Sequence, residues 1–390
     1  MPNQHAEAIV AGHICLDIIP TFPEHAGGEA RSWYRPGTLL KVGPAVVATG
    51  GAVSNTGLAL HRLGVATRLM GKIGDDLIGH TILDFLRRQG AELAEGMIVT
   101  PGEPSSYTVV LSPPGVDRMF LHCTGTNDTF VAADVEETRL PGARLFHFGY
   151  PTLMRAIYTD GGRALEQIFR AARRQGLTTS LDMSQPDPRS EAGRVDWSSF
   201  LARVLPLTDL YLPSFDETLL MIDRPRFEQG ARPDAALLAT TAQRLLDWGA
   251  KIVVLKLGDQ GAYLRTTSEA DRLSQAGAAG PRDTAHWVNR ELLAPCFQVD
   301  VVGTNGSGDC TIAGFLAALL QGMPPENALT AAVAVGACNV EAADATSGVR
   351  PWTETQQRIA SGWPRRPVTL SLPDWKPGPS GILMGPNDNT

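Results

Sequence analysis

Short, almost wholly apolar runs recur along this chain, and amphipathic stretches fill the gaps between them. Ala8-Ile9-Val10-Ala11-Gly12 is the first such run and reads as a buried strand. Residues 65–71 form a second, followed by Asp75 and Asp76, which suit the positive end of a helix running to Gln89. From residue 145 the alternation is regular, with strands at 145–149, 177–182, 210–213 and 252–257 and a helix over 162–175 closed by Gly176. A turn through Gly258 and Gly261 leads into Ala262-Tyr263-Leu264. Strands alternating with helices predict βαβ units around a mainly parallel sheet, an α/β fold.

Three stretches break the rhythm. Residues 20–49 are punctuated by proline and glycine and end in an alternating run, which reads as short strands leaving the main sheet. Residues 107–123 carry β-branched and aromatic residues on both sides of Pro113-Pro114-Gly115, a hairpin signal. Residues 267–290 are polar and rich in Gly, Ala and Ser, which predicts a surface excursion, and 371–390 read as a loosely ordered tail.

Bulk properties narrow the function classes. A formal charge of −7 over 390 residues argues against a nucleic-acid-binding stripe. No apolar run approaches the roughly 20 residues that span a bilayer, and the first residues lack the basic segment of a secretory signal. Five scattered cysteines without a CxxC pair fit a reduced, cytoplasmic setting and no zinc site.

The candidate chemistry lies in Val302-Gly303-Thr304-Asn305-Gly306-Ser307-Gly308-Asp309, which runs straight into an Ala/Leu-rich helix. Glycines there let several backbone N–H groups point one way, and the helix start adds its dipole, so the spot attracts anions. Asp309 is then placed to take a proton beside a bound phosphate. On these residues alone, an ordinary strand–turn–helix junction with Asp309 as the cap fits equally. Asp17, at the end of a strand pattern, is either a ligand contact or a solvated loop acid. Gly50 and Gly51 permit close approach to a polar ligand, and Asn55 offers a donor and an acceptor for hydroxyls. The same residues also suit a plain turn and helix start.

In combination and order, these motifs resemble the ribokinase-like carbohydrate kinases, the PfkB family. The resemblance rests on Gly50-Gly51 with Asn55 and Leu63-Gly64, then Gly71-x-x-Gly74-Asp75-Asp76-x-x-Gly79, then Gly306-Ser307-Gly308-Asp309 with Ala313-Gly314-Phe315, and covers residues 8–352. It implies a ribokinase-like three-layer α/β/α fold over 1–370, with a small β-strand lid from about 18–49 and 104–126. Asp117 to His122, with Gly125-Thr126-Asn127, resembles a lid-associated segment.

The implied activity is ATP-dependent transfer of the γ-phosphoryl group to a sugar hydroxyl, with Mg2+. By this resemblance Asp309 is the base, and the amides of Gly306, Ser307 and Gly308 form the anion hole. Asp17, Gly50, Gly51 and Asn55 hold the substrate; Lys256, Gly258, Gly261 and Asn339 line the nucleotide; Glu217 serves the metal. A nucleoside kinase, or a catalytically silent sugar- or nucleotide-binding protein on the same scaffold, stays open. A homodimer formed through the lid is also implied. Two residues depart from the family pattern. Ser214 stands where asparagine is usual in the Asn-x-x-Glu motif, and Gly303 stands where many members have an aspartate that helps bind K+, with Asp300 nearby. Dependence on K+ is therefore not expected from the motif.

Overall fold

The structure is a computed structural model and describes residues 6–23, 37, 39–114, 119–135 and 137–389. Most of the 24–38 excursion, and Gly115, Asp117 and Arg118 of the expected lid, lie outside the described residues.

The main sheet draws on β1 (Ala8–Gly12), β4 (Thr67–Met70), β9 (Leu145–Gly149), β10 (Thr178–Asp182), β11 (Leu210–Tyr211), β12 (Ile252–Lys256), β13 (Ala262–Thr266), β14 (Glu291–Ala294), β15 (Lys376–Pro377) and β16 (Leu383–Met384). Their order is β15-β16-β14-β13-β12-β11-β10-β9-β1-β4. The block from β4 to β12 is parallel, and beyond it the pairs are antiparallel. Parallel strands covered on both faces need apolar residues on both sides. In β1, Ala8 and Val10 join one apolar cluster while Ile9 and Ala11 join the other, as the two-residue period of a strand demands.

The lid is a second sheet, in the order β3-β2-β7-β8, of β2 (Cys15–Pro20), β3 (Ala45–Gly50), β7 (Tyr107–Leu111) and β8 (Met119–Cys123). Strand β2 follows β1 within a few residues, so the lid rises from the carboxyl end of the main sheet. Register sets Asp17 beside Thr108, and Thr108 opposite His122. A small third sheet joins β5 (Lys72–Gly74) to β6 (Ile98–Thr100).

Two stretches differ from the expectation drawn from composition. The 371–390 tail is tied down: β15 and β16 extend the main sheet beyond β14, and the Arg290 guanidinium pairs with Asp388 at 2.7 Å. The Asn387 amide also donates to Glu291. Two-residue strands carry no periodic signal, so pairing with an existing sheet edge escapes a reading of composition. The 267–290 stretch is likewise anchored, because Trp287 and Leu273 are buried and Trp287 meets Phe315 edge-on. No helix among the described residues is long and apolar enough to cross a membrane.

Candidate active site

Two buried, Ala-rich helices, Ser307–Leu320 and Pro325–Asn339, pack together behind the site. A helix apolar on nearly every side must lie inside the protein. Its start is therefore fixed in the core and aimed at the carboxyl ends of the strands. Gly306 caps it with φ 68°, in the left-handed region, and a β-carbon there would lie 2.3 Å from the Ala345 carbonyl oxygen. Only glycine meets both demands. Gly51 plays the same part at the helix Ala52–Arg62, with φ 84° and His13 close behind it.

These two helix starts converge on one carboxylate. Asn55 Nδ2 donates to Asp309 Oδ2 at 3.0 Å, and Thr56 Oγ1 donates to Oδ1 at 3.3 Å. The Tyr150 hydroxyl lies 2.9 Å from both oxygens. Asp309 is only 3% exposed, and burial raises its pKa above the ordinary carboxylate value; the Lys256 charge and these donors pull the other way. A raised carboxylate pKa makes a better proton acceptor near neutral pH.

On the other flank of the helix start, Lys256 Nζ lies 3.0 Å from Asp182 Oδ1. A β-carbon built on Gly308 would stand 3.5 Å from that ammonium, so Lys256 borders the amides of the loop. Burial pulls the ammonium's pKa down, but Asp182, Glu217 and Asp309 together hold it above its ordinary value, so it is charged.

Two cavities meet at this helix start. One, of about 890 Å³, is lined by His13, Asp17, Asn55, His122 and Tyr150 among others, and reaches Gly306 and Asp309. The other, of about 260 Å³, runs from Lys256, Ser307 and Gly308 past Gly258 and Gly261 to Val333, Gly336 and Arg366. Asp17, Gly51 and Asn55 thus fall in the first cavity, and Gly50 packs behind the Asp17 carboxylate. Lys256, Gly258 and Gly261 fall in the second.

Asn339 is placed differently from the nucleotide-lining expectation. It is fully buried behind the loop and donates to the Asn305 carbonyl, while its neighbours Gly336, Ala337 and Val340 line the cavity. Part of a helical turn separates the wall from its support. Glu217 and Ser214 form a reciprocal helix cap, with Ser214 N donating to Glu217 Oε2 at 2.7 Å and Glu217 N donating to Ser214 Oγ at 3.2 Å. Gly303 sits against the Ala342 and Ala343 carbonyls, where it brings no carboxylate, and Asp300 is exposed.

Tyr150, Asp182, Thr56 and His13 were not singled out from the sequence, and His122 only as the end of a lid-associated segment. Tyr150 and Asp182 had a signal: each ends or directly follows a parallel strand, where ligands gather in open α/β sheets. Tyr150 also takes φ 63°, an uncommon state for a non-glycine residue that clusters at functional sites.

A Tyr150→Phe variant would remove one donor to Asp309. The carboxylate's pKa then rises further, so the acid limb of the pH–rate profile moves to higher pH. kcat/KM is expected to fall about tenfold, from one lost hydrogen bond to a charged group. An unshifted limb would show that this contact does not act on Asp309.

The comparisons with known proteins identify the family and the fold. The PfkB family carbohydrate kinase model matches residues 6–352. Among curated proteins, the chain is 24% identical over 307 residues to the 2-dehydro-3-deoxygluconokinase of Thermoproteus tenax, covering 77% of this chain and 82% of that one. It is 28% identical to the ATP-dependent ribose-1-phosphate kinase of Halopiger xanaduensis, covering 84% and 89%. A solved fructokinase from Xylella fastidiosa with bound ATP superposes with a TM-score of 0.68 at 18% identity, over 91% of this chain and 98% of that one. The chain belongs to the PfkB family of carbohydrate kinases. It is an ATP-dependent sugar kinase with the ribokinase-like α/β fold.

Proposed function

We propose that Asp309 is the general base that takes the proton of a sugar hydroxyl as the γ-phosphoryl group of ATP arrives. The observation that carries this reading is the meeting of the two cavities at one helix start, with Asp309 on the acceptor side and Ser307 and Gly308 on the other. In the forward step the hydroxyl oxygen forms a bond to the γ-phosphorus and its proton passes to Asp309. The bridging oxygen then leaves with ADP. The amides at 306–308 and the Lys256 ammonium stabilise the charge on the equatorial oxygens.

On the acceptor side, the buried Asn55 Oδ1 has no hydrogen-bond partner within the protein, which suits it to receive a sugar hydroxyl. Asp17 and Gly51 complete that wall, with Gly50 giving the Asp17 carboxylate room.

The residues also fit Mg2+. Asp182 Oδ2 is buried without a partner, and Glu217 lies close enough to act on both Asp182 and Lys256. Among the described residues no three acidic, histidine or cysteine side chains gather as a metal site, so phosphates and water would have to supply most of the ligands. Asp182 and Glu217 would hold it, and when bound it neutralises phosphate charge.

The direct test is ADP release on mixing the protein with Mg-ATP and a sugar panel. Release that ignores every sugar would overturn the reading. On the face of the lid turned away from the acceptor cavity, Val47, Met119 and Leu121 are exposed, an apolar patch suited to a second copy. Sedimentation is expected to show a homodimer, and Val47→Glu with Leu121→Glu should return it to monomer.

A further inference from the structure

The two cavities differ in sign. The nucleotide side carries Lys256 and Arg366 against one acid, Asp259. The acceptor side carries Asp17, Asp128, Asp187 and Asp309, and no lysine or arginine among the described residues lines it. Two arginines beside the lining acids Asp128 and Asp187 are already committed. Arg155 makes two hydrogen bonds to Glu191, at 2.8 and 3.1 Å, and Arg189, which is largely exposed, pairs with Asp187.

What remains facing the acceptor is a set of neutral donors and acceptors. His13, from the base of the cavity, and His122, from the lid, place their Nε2 atoms 3.3 Å apart, and His122 Nδ1 lies 3.0 Å from Thr108 Oγ1. One imidazole must donate to the other, which two imidazolium rings cannot do. Burial lowers both pKa values, and in His13 the neighbouring His122 charge adds to this, so neither ring supplies a standing positive charge at neutral pH. His13 Nδ1 is buried without a partner, and Thr124 and Tyr150 add hydroxyls.

Resting on the kinase reading above, we propose that the acceptor is an uncharged polyhydroxylated sugar rather than a sugar acid or a sugar phosphate, because the acceptor cavity holds carboxylates and neutral imidazoles where an anion would need a cation. This separates the chain from two of its relatives, whose names specify a sugar acid and a sugar phosphate. An anionic group set among these carboxylates, with no cation lining the cavity to meet it, faces the cost of an uncompensated buried charge. The expected preference for neutral sugars is therefore roughly 10²–10³-fold in kcat/KM.

The test has two arms on the full-length protein. Turnover with Mg-ATP is compared across fructose, ribose and other neutral sugars, 2-dehydro-3-deoxygluconate and gluconate, ribose 1-phosphate, and glucosamine. Calorimetry with a non-hydrolysable ATP analogue then ranks binding of the same compounds without chemistry. A neutral sugar leading both rankings is the expected result. A sugar acid, a sugar phosphate or an amino sugar leading either ranking would overturn the proposal while leaving the kinase reading intact. If no compound binds in calorimetry, the proposal fails as well. Failure of the kinase reading looks different: neutral sugars bind, yet no sugar raises ADP release.

Discussion

Asp309→Asn is expected to cut turnover by roughly 10²–10⁴-fold, the usual cost of losing a general base. The substituted amide keeps the size of the side chain but cannot take the hydroxyl proton. Stability should move the other way. Burial raises the pKa of Asp309, so the folded protein holds this proton to a higher pH than the unfolded chain does. Stability contributed by the group is then lost as pH rises from the unfolded value through the folded one. Removing the charge removes that penalty, and the variant should melt at or above the wild-type temperature at neutral pH. Turnover within a few-fold of wild type, measured by coupled ADP release, would rule out Asp309 as the base.

Lys256→Met should carry the second large effect, and on two properties at once. Removing a charge that faces the transferring phosphoryl group is expected to cost about 10²–10³-fold in kcat. Asp182 would also be left buried and unpaired, which costs about 3–5 kcal/mol of stability. The pair spans β10 and β12 with both side chains largely buried, so little solvent screening softens that loss. A Lys256→Met, Asp182→Asn double variant isolates the stability effect: melting should recover, while turnover stays low because both the charge facing the phosphoryl group and the proposed Mg2+ ligand are gone. Recovery of turnover as well would mean that Lys256 serves only to satisfy Asp182.

Much of this architecture was legible before any coordinates. Apolar runs located the parallel strands, because strands buried on both faces cannot hide their composition. The glycine turns at 50–51 and 306–308 were legible because Gly51 and Gly306 take left-handed backbone angles that few other residues adopt beside a helix start. Contacts made across the sheet left only a positional trace, the strand ends at which Tyr150 and Asp182 stand. Tyr150 follows an unremarkable strand, and Asp182 is one acid among many until Lys256 is set against it. Asn339 illustrates the opposite error: the correct helix was found, but facing was misjudged by part of a turn. The tail failed for a third reason, since its order is borrowed from a sheet edge that the preceding chain builds.

That last feature affects how the enzyme matures during synthesis. Arg366, Gln260 and Thr369 join the late part of the chain to the turn that borders the nucleotide cavity, whereas the residues that line the acceptor side up to Tyr150 emerge from the ribosome long before. A nascent chain halted ahead of Arg366 would hold most of its sugar pocket yet lack a finished wall for ATP.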